Sequence, residues 1–305
     1  MSNLPSANGR SAFGGNLSNS LNSSRNPLLF VLFGATGDLA RLKILPALIN
    51  LQRENKLARP IKLIATGRRE MTPGQYFDYL AKVEPHPFKE DASILSPEYI
   101  QLEFDGQEGF ANLWELLRQQ PDAEIIFYMS VGSDVLDSCI TRFQDPGALE
   151  FLKSRKIKLV AEKPFGHDLE QAMRFNKILT SMFGMDNVYR NDHYLFKNTV
   201  QALAEIKNSD PDVRDILNGE WINEVKLVVS EQVDLGTRAG YFEGVGMLRD
   251  WFQSHMLQML AQFCADQKES DRPSGTGERN FIANLEIIPD SIIRAQYNGY
   301  VGADG

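Results

Sequence analysis

The chain has 305 residues, 43% hydrophobic and 24% charged, a balance ordinary for a soluble globular protein of one large or two ordinary domains. Its net charge of -8 argues against a general nucleic-acid role, because a phosphate backbone needs a basic footprint. No apolar run approaches bilayer length; the longest clear one, Leu28 to Phe33, has the length of a strand, so no membrane partner is expected.

Residues 1–26 read as a disordered tail, rich in Ser, Asn and Gly, with no acid before Asp38. A Ser-rich, acid-poor leader with Arg10 and Arg25 also fits an organelle transit peptide, whereas the apolar core of a secretory signal is missing. A cytoplasmic protein is the expectation otherwise. From Leu28 short apolar runs alternate with amphipathic stretches. LLFVLF (28–33) reads as a buried strand, and a helical pattern follows over about Leu39 to Glu54. IKLIAT (61–66) is a second strand, after which Thr72-Pro73 predicts an N-cap with Pro in the first helical position. IIFYMSV (125–131) and IKLVAE (157–162) are further strands, each leading into a helical pattern. Such alternation predicts right-handed βαβ crossovers, hence an α/β class, Rossmann-type, doubly wound parallel sheet over residues 27–190.

The character changes near Val188. A helix (about 195–208), a strand VKLVVSE (225–231), a loop rich in Gly and charge, a long helix (about 246–265) and a strand IIRAQY (292–297) predict an α+β domain over 191–305. Cys139 and Cys264 lie far apart, without metal-ligand spacing, in segments of helical pattern; two reduced thiols and no metal site are expected.

The first strand runs directly into Gly34-Ala35-Thr36-Gly37-Asp38-Leu39-Ala40 and then a helix. Glycines at such a turn let the backbone approach a pyrophosphate, whose charge sits at the helix N-terminus. A tight βα turn needs glycine in any case, so the position after the first strand carries the cofactor reading. The second strand ends Ala65-Thr66-Gly67-Arg68-Arg69, where a NAD site would carry an acid for the ribose 2′-hydroxyl. An arginine pairs with a 2′-phosphate instead, so NADP is expected over NAD. Arg68, first after the turn, is the better candidate; Arg69 reads as a solvated surface residue.

GATGDLARLKILPAL (34–48), EKPFGHDL (162–169), YRNDHYLFK (189–197), SEQVDLGTRAGYFEGVG (230–246) and LRDWFQSHMLQML (248–260) follow one another, and together they resemble the glucose-6-phosphate dehydrogenase family. The resemblance implies an enzyme that passes hydride from C1 of glucose 6-phosphate to NADP, giving the 6-phosphogluconolactone, the first oxidative step of the pentose phosphate pathway. By it, Gly34, Thr36, Gly37, Asp38, Leu39, Lys43 and Arg68 hold the cofactor, and Lys163 bridges cofactor and sugar. His255 takes the hydroxyl proton, a role suited to an imidazole of near-neutral pKa. Asp192 orients that ring and stabilises it once protonated. His193, Tyr194 and Lys197 receive the substrate phosphate, while Glu231 and Asp250 bind hydroxyls. Pro164 follows a cis peptide by the same resemblance. From the residues alone, His255 borders an apolar helix face (248, 252, 256, 259, 260 and 263) and reads first as a buried structural histidine, and Lys197 as a solvated lysine; the resemblance reverses both preferences. Lys43, Arg68, Lys163 and Arg190 supply the local positive cluster that an anionic ligand needs in an acidic chain.

Several positions depart from the family pattern. Met129-Ser130-Val131-Gly132-Ser133-Asp134 replaces a Leu-Pro-Pro type turn; Asn191 stands for an aliphatic residue, Phe196 for glycine and Ser254 for asparagine. The family's second domain continues past the strand that IIRAQY resembles, so 191–305 is expected to be a substrate and dimerisation domain incomplete relative to it. A homodimer or higher homo-oligomer is expected if that domain folds. Two other readings stay open. One is a non-catalytic or truncated paralogue that binds cofactor or regulates a full-length partner. The other is a sugar dehydrogenase of the glucose–fructose oxidoreductase type, which shares the EKP motif; DHY-x-x-K and His255 favour the phosphate-dependent enzyme.

Overall fold

The computed structural model describes residues 28–57, 59–82, 92–230, 239–265, 276–296 and 298–300. The expected tail, Glu231 and the loop up to residue 238 lie outside these residues. Two compact units emerge. One comprises residues up to Val160 with Lys177–Tyr189, and the other Ala161–Asn176 with Arg190 onward.

Strands β1 (Leu28–Phe33), β2 (Ile61–Gly67), β3 (Glu98–Gln101), β4 (Glu124–Met129), β5 (Ile157–Glu162) and β6 (Val188–Asn191) form one sheet in the order β3-β2-β1-β4-β5-β6. β1 runs parallel to both neighbours, with Phe33 opposite Thr66 on one side and Met129 on the other. The chain thus winds outward from β1 in both directions, which is the doubly wound arrangement the alternation predicts. β3 escapes sequence reading because four residues with one buried side chain, Tyr99, cannot display a period; its parallel pairing with β2 makes it a strand. β4 stops two residues before the expected end, where the Ser130 N–H turns to the Phe33 carbonyl at 3.1 Å.

The period of two along β1 sorts its side chains to two faces. Phe30 and Leu32 join Leu45, Leu63, Tyr76 and Leu80 in one buried cluster. Phe33 faces the opposite way and meets Phe127 and Phe143 edge-on at 5.4 and 5.9 Å. Helices α1 (Leu45–Arg53) and α2 (Pro73–Ala81) cover the first face. Helices α3 (Glu108–Arg118), α4 (Ser133–Phe143) and α5 (Pro146–Ser154) cover the second through Phe110, Trp114, Phe143 and Phe151. α1 is entered through a π-helical turn, Ala40–Ile44. α2 opens with the predicted cap: Gln75 N–H donates to Thr72 Oγ1 at 3.2 Å and Thr72 N–H to Gln75 Oε1 at 2.8 Å, with Pro73 in the first turn.

Beyond β5 come α6 (Leu169–Phe183), α7 (Asn198–Ser209), α8 (Pro211–Ile216), α9 (Ala239–Met247), α10 (Leu257–Cys264) and α11 (Thr276–Ala283). A π-helical stretch, Leu248–Met256, runs into α10 and makes the long helix expected there. Two expected strands are corrected. Residues 225–230 and 292–296 form no ladder, and Val228 and Ile293 are 84% and 92% exposed. Their apolar composition suits a sheet, but a strand exists through its pairing, and none forms among the described residues. Cys139 and Cys264 are free thiols. Among the described residues no helix is long and apolar enough to cross a membrane.

Candidate active site

The turn after β1 admits only glycine at its first position. Gly34 sits at φ +76°, and a Cβ there would lie 2.4 Å from Ser130 O and 2.8 Å from Val131 Cγ1. The Ala35 N–H donates to Thr66 O at 2.8 Å and the Gly37 N–H to Gly34 O at 2.9 Å, so Thr36, Asp38 and Leu39 are delivered to the helix start at the carboxyl edge of β1. That edge lies between β2 and β4, where the strand order reverses and open α/β sheets bind ligands. Lys43, on the π turn, and Arg68, just after β2, are exposed. Ser130 Oγ and Arg41 Nε are buried without a hydrogen-bond partner. A cradle closed to any side chain, with polar atoms left unsatisfied around it, fits a pyrophosphate-bearing group.

In the second unit, Lys163 leaves β5 ahead of a cis bond to Pro164. Its Nζ donates to Asp192 Oδ2 and, at 2.6 Å, to the Ser254 carbonyl. Asp192 is 6% exposed and also accepts the Tyr194 N–H at 3.1 Å. His255 Nδ1 stands 3.4 Å from Asp192 Oδ1, an ionic-contact distance without hydrogen-bond geometry. The Tyr194 ring stacks on His255 at 4.0 Å, His193 and Trp251 meet that imidazole edge-on at 4.8 and 5.9 Å, and Lys197 Nζ lies 3.5 Å over Tyr194. A cleft of about 890 Å³ opens beside Lys163, bordered by Pro164, Arg190, Arg249 and Ser254.

Six of the residues singled out in sequence therefore converge: Lys163, Asp192, His193, Tyr194, Lys197 and His255. Asp250 lies partly buried in the first turn of the π-helical stretch. In an α-helix a residue five positions before His255 would be rotated about 140° away. Bonding from i to i+5 turns it back toward the same face. The winding is visible in the Ser254 hydroxyl, which reaches the Arg249 carbonyl at 2.8 Å. Phe196, at the family's glycine position, is 65% exposed, so its bulk stays largely in solvent. Two contributors went unread. Trp251 was detectable, because it precedes His255 by four on a helix; the Ser254 carbonyl, as backbone, leaves no signal in sequence.

Burial by itself would raise the Asp192 carboxyl, but the adjacent His255 ring, hydrogen bonding to Lys163, the Lys163 charge and the Tyr194 N–H outweigh it and bring the pKa to about 2. Burial lowers His193, and the neighbouring His255 lowers it further. Both shifts act in one direction on stability. The fold disfavours a proton on His193, so the unfolded chain binds more protons as pH falls through 6.5 and stability drains below that point. Asp192 adds a second loss between about pH 4 and 2. The urea midpoint is expected to drop between pH 7 and 5, and His193→Gln to flatten that slope; an identical slope in the variant would contradict the assignment.

Residues 31–202 match the family model described as glucose-6-phosphate dehydrogenase, NAD binding domain, and residues 206–303 its C-terminal domain. The first match gives the cofactor class, a nicotinamide dinucleotide. The chain is 31% identical over 242 residues to glucose-6-phosphate 1-dehydrogenase of Rhizobium meliloti, covering 77% of this chain and 48% of that protein. The Drosophila melanogaster enzyme is 30% identical over 284 residues, covering 90% and 53%. A solved glucose-6-phosphate dehydrogenase in complex with its substrate glucose-6-phosphate superposes with a TM-score of 0.68 at 27% identity, over 82% of this chain and 53% of that one. The Mycobacterium avium enzyme shares the fold, with a TM-score of 0.75 at 24% identity. The chain spans about half the length of the curated relatives it matches. With both family domains matched in order, the chain belongs to the glucose-6-phosphate dehydrogenase family.

Proposed function

We propose that the chain oxidises glucose 6-phosphate at C1 to the 6-phosphogluconolactone, with NADP preferred over NAD. In this reading residues 27–190 bind cofactor and 191–305 bind substrate. The observation that carries it is the buried Asp192 carboxylate, shared between the Lys163 ammonium and the His255 imidazole. Gly34 and Gly37 would seat the cofactor's pyrophosphate, and the Arg68-Arg69 pair in place of an acid supports the 2′-phosphate form. Bound there, the nicotinamide supplies the hydride acceptor. His255 takes the C1 hydroxyl proton, and Asp192, held ionised by its partners, favours the imidazolium that results. Lys163 would donate to the same hydroxyl oxygen as its proton leaves. His193, Tyr194 and Lys197 gather donors and positive charge for the phosphate of the sugar.

Absorbance at 340 nm, followed with NADP and glucose 6-phosphate, tests the reading. His255→Asn keeps a polar side chain but no base, and turnover is expected to fall by about 10²–10⁴-fold. Turnover by the variant equal to wild type, or none by a folded wild-type chain that still binds NADP, would sink the assignment.

A further inference from the structure

The carbonyl that receives Lys163 belongs to a helix of unusual winding. Leu248–Met256 is π-helical, and the Leu257 N–H closes it on the Phe252 carbonyl, five positions back. Within that stretch the Ser254 hydroxyl donates to the Arg249 carbonyl at 2.8 Å, again five positions back. A serine in an α-helix reaches the carbonyl three or four positions back, so this bond belongs to the wide turn alone. The Ser254 carbonyl leaves the same turn and accepts Lys163 Nζ at 2.6 Å. A helical carbonyl ordinarily points along the axis to the next turn, and one that meets a side chain from outside the helix must tilt outward. The ammonium also donates to the buried Asp192 carboxylate. Lys163 thus has two acceptors, a carboxylate and a carbonyl whose aim depends on how Leu248–Met256 is wound.

We propose that Ser254 is a positioning residue for Lys163: its hydroxyl holds the wide turn that aims the Ser254 carbonyl at the ammonium. The proposal rests on the function read above, in which Lys163 donates to the C1 hydroxyl oxygen, and gives the Ser254 side chain a part in keeping it there. With Asp192 alone, an ammonium on a flexible four-carbon stem is free to swing about one carboxylate oxygen. A second acceptor on a helix backbone fixes its direction. π winding is rare and needs a local reason; a bond that an α turn cannot make supplies one. Asparagine, which the family pattern has at this position, carries no hydroxyl to make it. Alanine lacks the hydroxyl and is the better helix former, so Ser254→Ala should relax the stretch toward α winding with little change in global stability.

Acylation of the full chain by acetic anhydride, with the rate at each lysine read by peptide mass spectrometry, tests the assignment without using turnover. An amine held by two acceptors must release both before its nitrogen can attack, so removing one speeds the reaction. In Ser254→Ala, Lys163 is expected to react about threefold to tenfold faster than in wild type. Lys207 is the internal control. It lies on α7, 3% exposed, and its Nζ donates to the Phe263 and Ala265 carbonyls at the far end of α10, at 2.6 and 2.5 Å. A local change leaves its rate within about twofold of wild type, whereas general loosening of the helix speeds both lysines. Ser254→Thr, which keeps the hydroxyl, is expected to restore the wild-type rate at Lys163. An unchanged Lys163 rate in Ser254→Ala, equal acceleration at Lys163 and Lys207, or a threonine variant as fast as the alanine one overturns the proposal and leaves the proposed function standing. Turnover of glucose 6-phosphate by Ser254→Ala is expected to fall by about threefold to tenfold; turnover equal to wild type overturns the part given to Ser254 in the reaction. A folded wild-type chain without turnover overturns the proposed function, while the labelling rates still decide whether Ser254 holds Lys163.

Discussion

Asp192→Asn is expected to cost about 10²–10⁴-fold in turnover of glucose 6-phosphate and to lower the melting temperature by about 5–10 °C. The two effects share one cause. In the native chain the buried carboxylate takes the Lys163 ammonium on one oxygen, with the Tyr194 N–H and the nearby His255 ring on the other. Asparagine keeps a single acceptor and turns an amide donor toward one of these donors. The mostly buried Lys163 then loses its counter-ion, and breaking such a pair from one side costs about 3 kcal/mol or more. On the proposed mechanism, the His255 imidazolium that would form as the substrate loses its proton is no longer balanced, which raises the barrier without removing the base. A variant that melts like wild type and turns over within about threefold of it would show that Asp192 neither anchors the cluster nor serves the ring. Loss of stability with turnover retained would leave it a structural acid.

The elements legible in the sequence are those whose signal is carried by their own side chains. β1 shows its burial as an unbroken apolar run, and α2 its start as Thr72-Pro73 with Gln75 three positions on. Where pairing decides, composition misleads in both directions. Glu98–Gln101 becomes a strand beside β2 on slight apolar content, whereas the richer segment at 225–230 has no ladder among the described residues. The candidate site divides in the same way. Asp192, His193, Tyr194 and Lys197 arrive together because they are near neighbours in sequence, and motif reading finds them as one group. Lys163 and His255 join them through long-range contacts that resemblance, not spacing, anticipated. The π winding of Leu248–Met256 was invisible, since no residue in it announces an i to i+5 ladder, yet it governs which side chains share the face of His255. Around the first turn Arg68 reads as the candidate for an anion and Arg69 as a solvated residue, and only the fold reveals that Arg69 and Arg41 rest on a common ring, that of Tyr79.

Gly34→Ala is the second large effect expected, and it tests the turn rather than the chemistry. At φ +76° an alanine costs about 1–3 kcal/mol in backbone strain alone. Its methyl would also fall 2.4 Å from the Ser130 carbonyl oxygen, a backbone atom that cannot swing aside as a flexible side chain would. Relief requires Ser130 to move, but its N–H is bonded to the Phe33 carbonyl, so the ends of β1 and β4 must part to accommodate one carbon. Destabilisation of at least about 3 kcal/mol is expected in denaturant unfolding, together with loss of measurable NADP binding in any fraction that stays folded. Gly132→Ala supplies the control from the neighbouring loop. That residue has φ -70°, and a Cβ there meets nothing within 4 Å, so stability should change by less than about 0.5 kcal/mol. If the two variants unfold alike, the closeness of β1 to the Ser130 loop is not what forces glycine at position 34. If Gly34→Ala folds stably but no longer binds NADP while Gly132→Ala binds it normally, the closed cradle is a ligand site first and a packing constraint second.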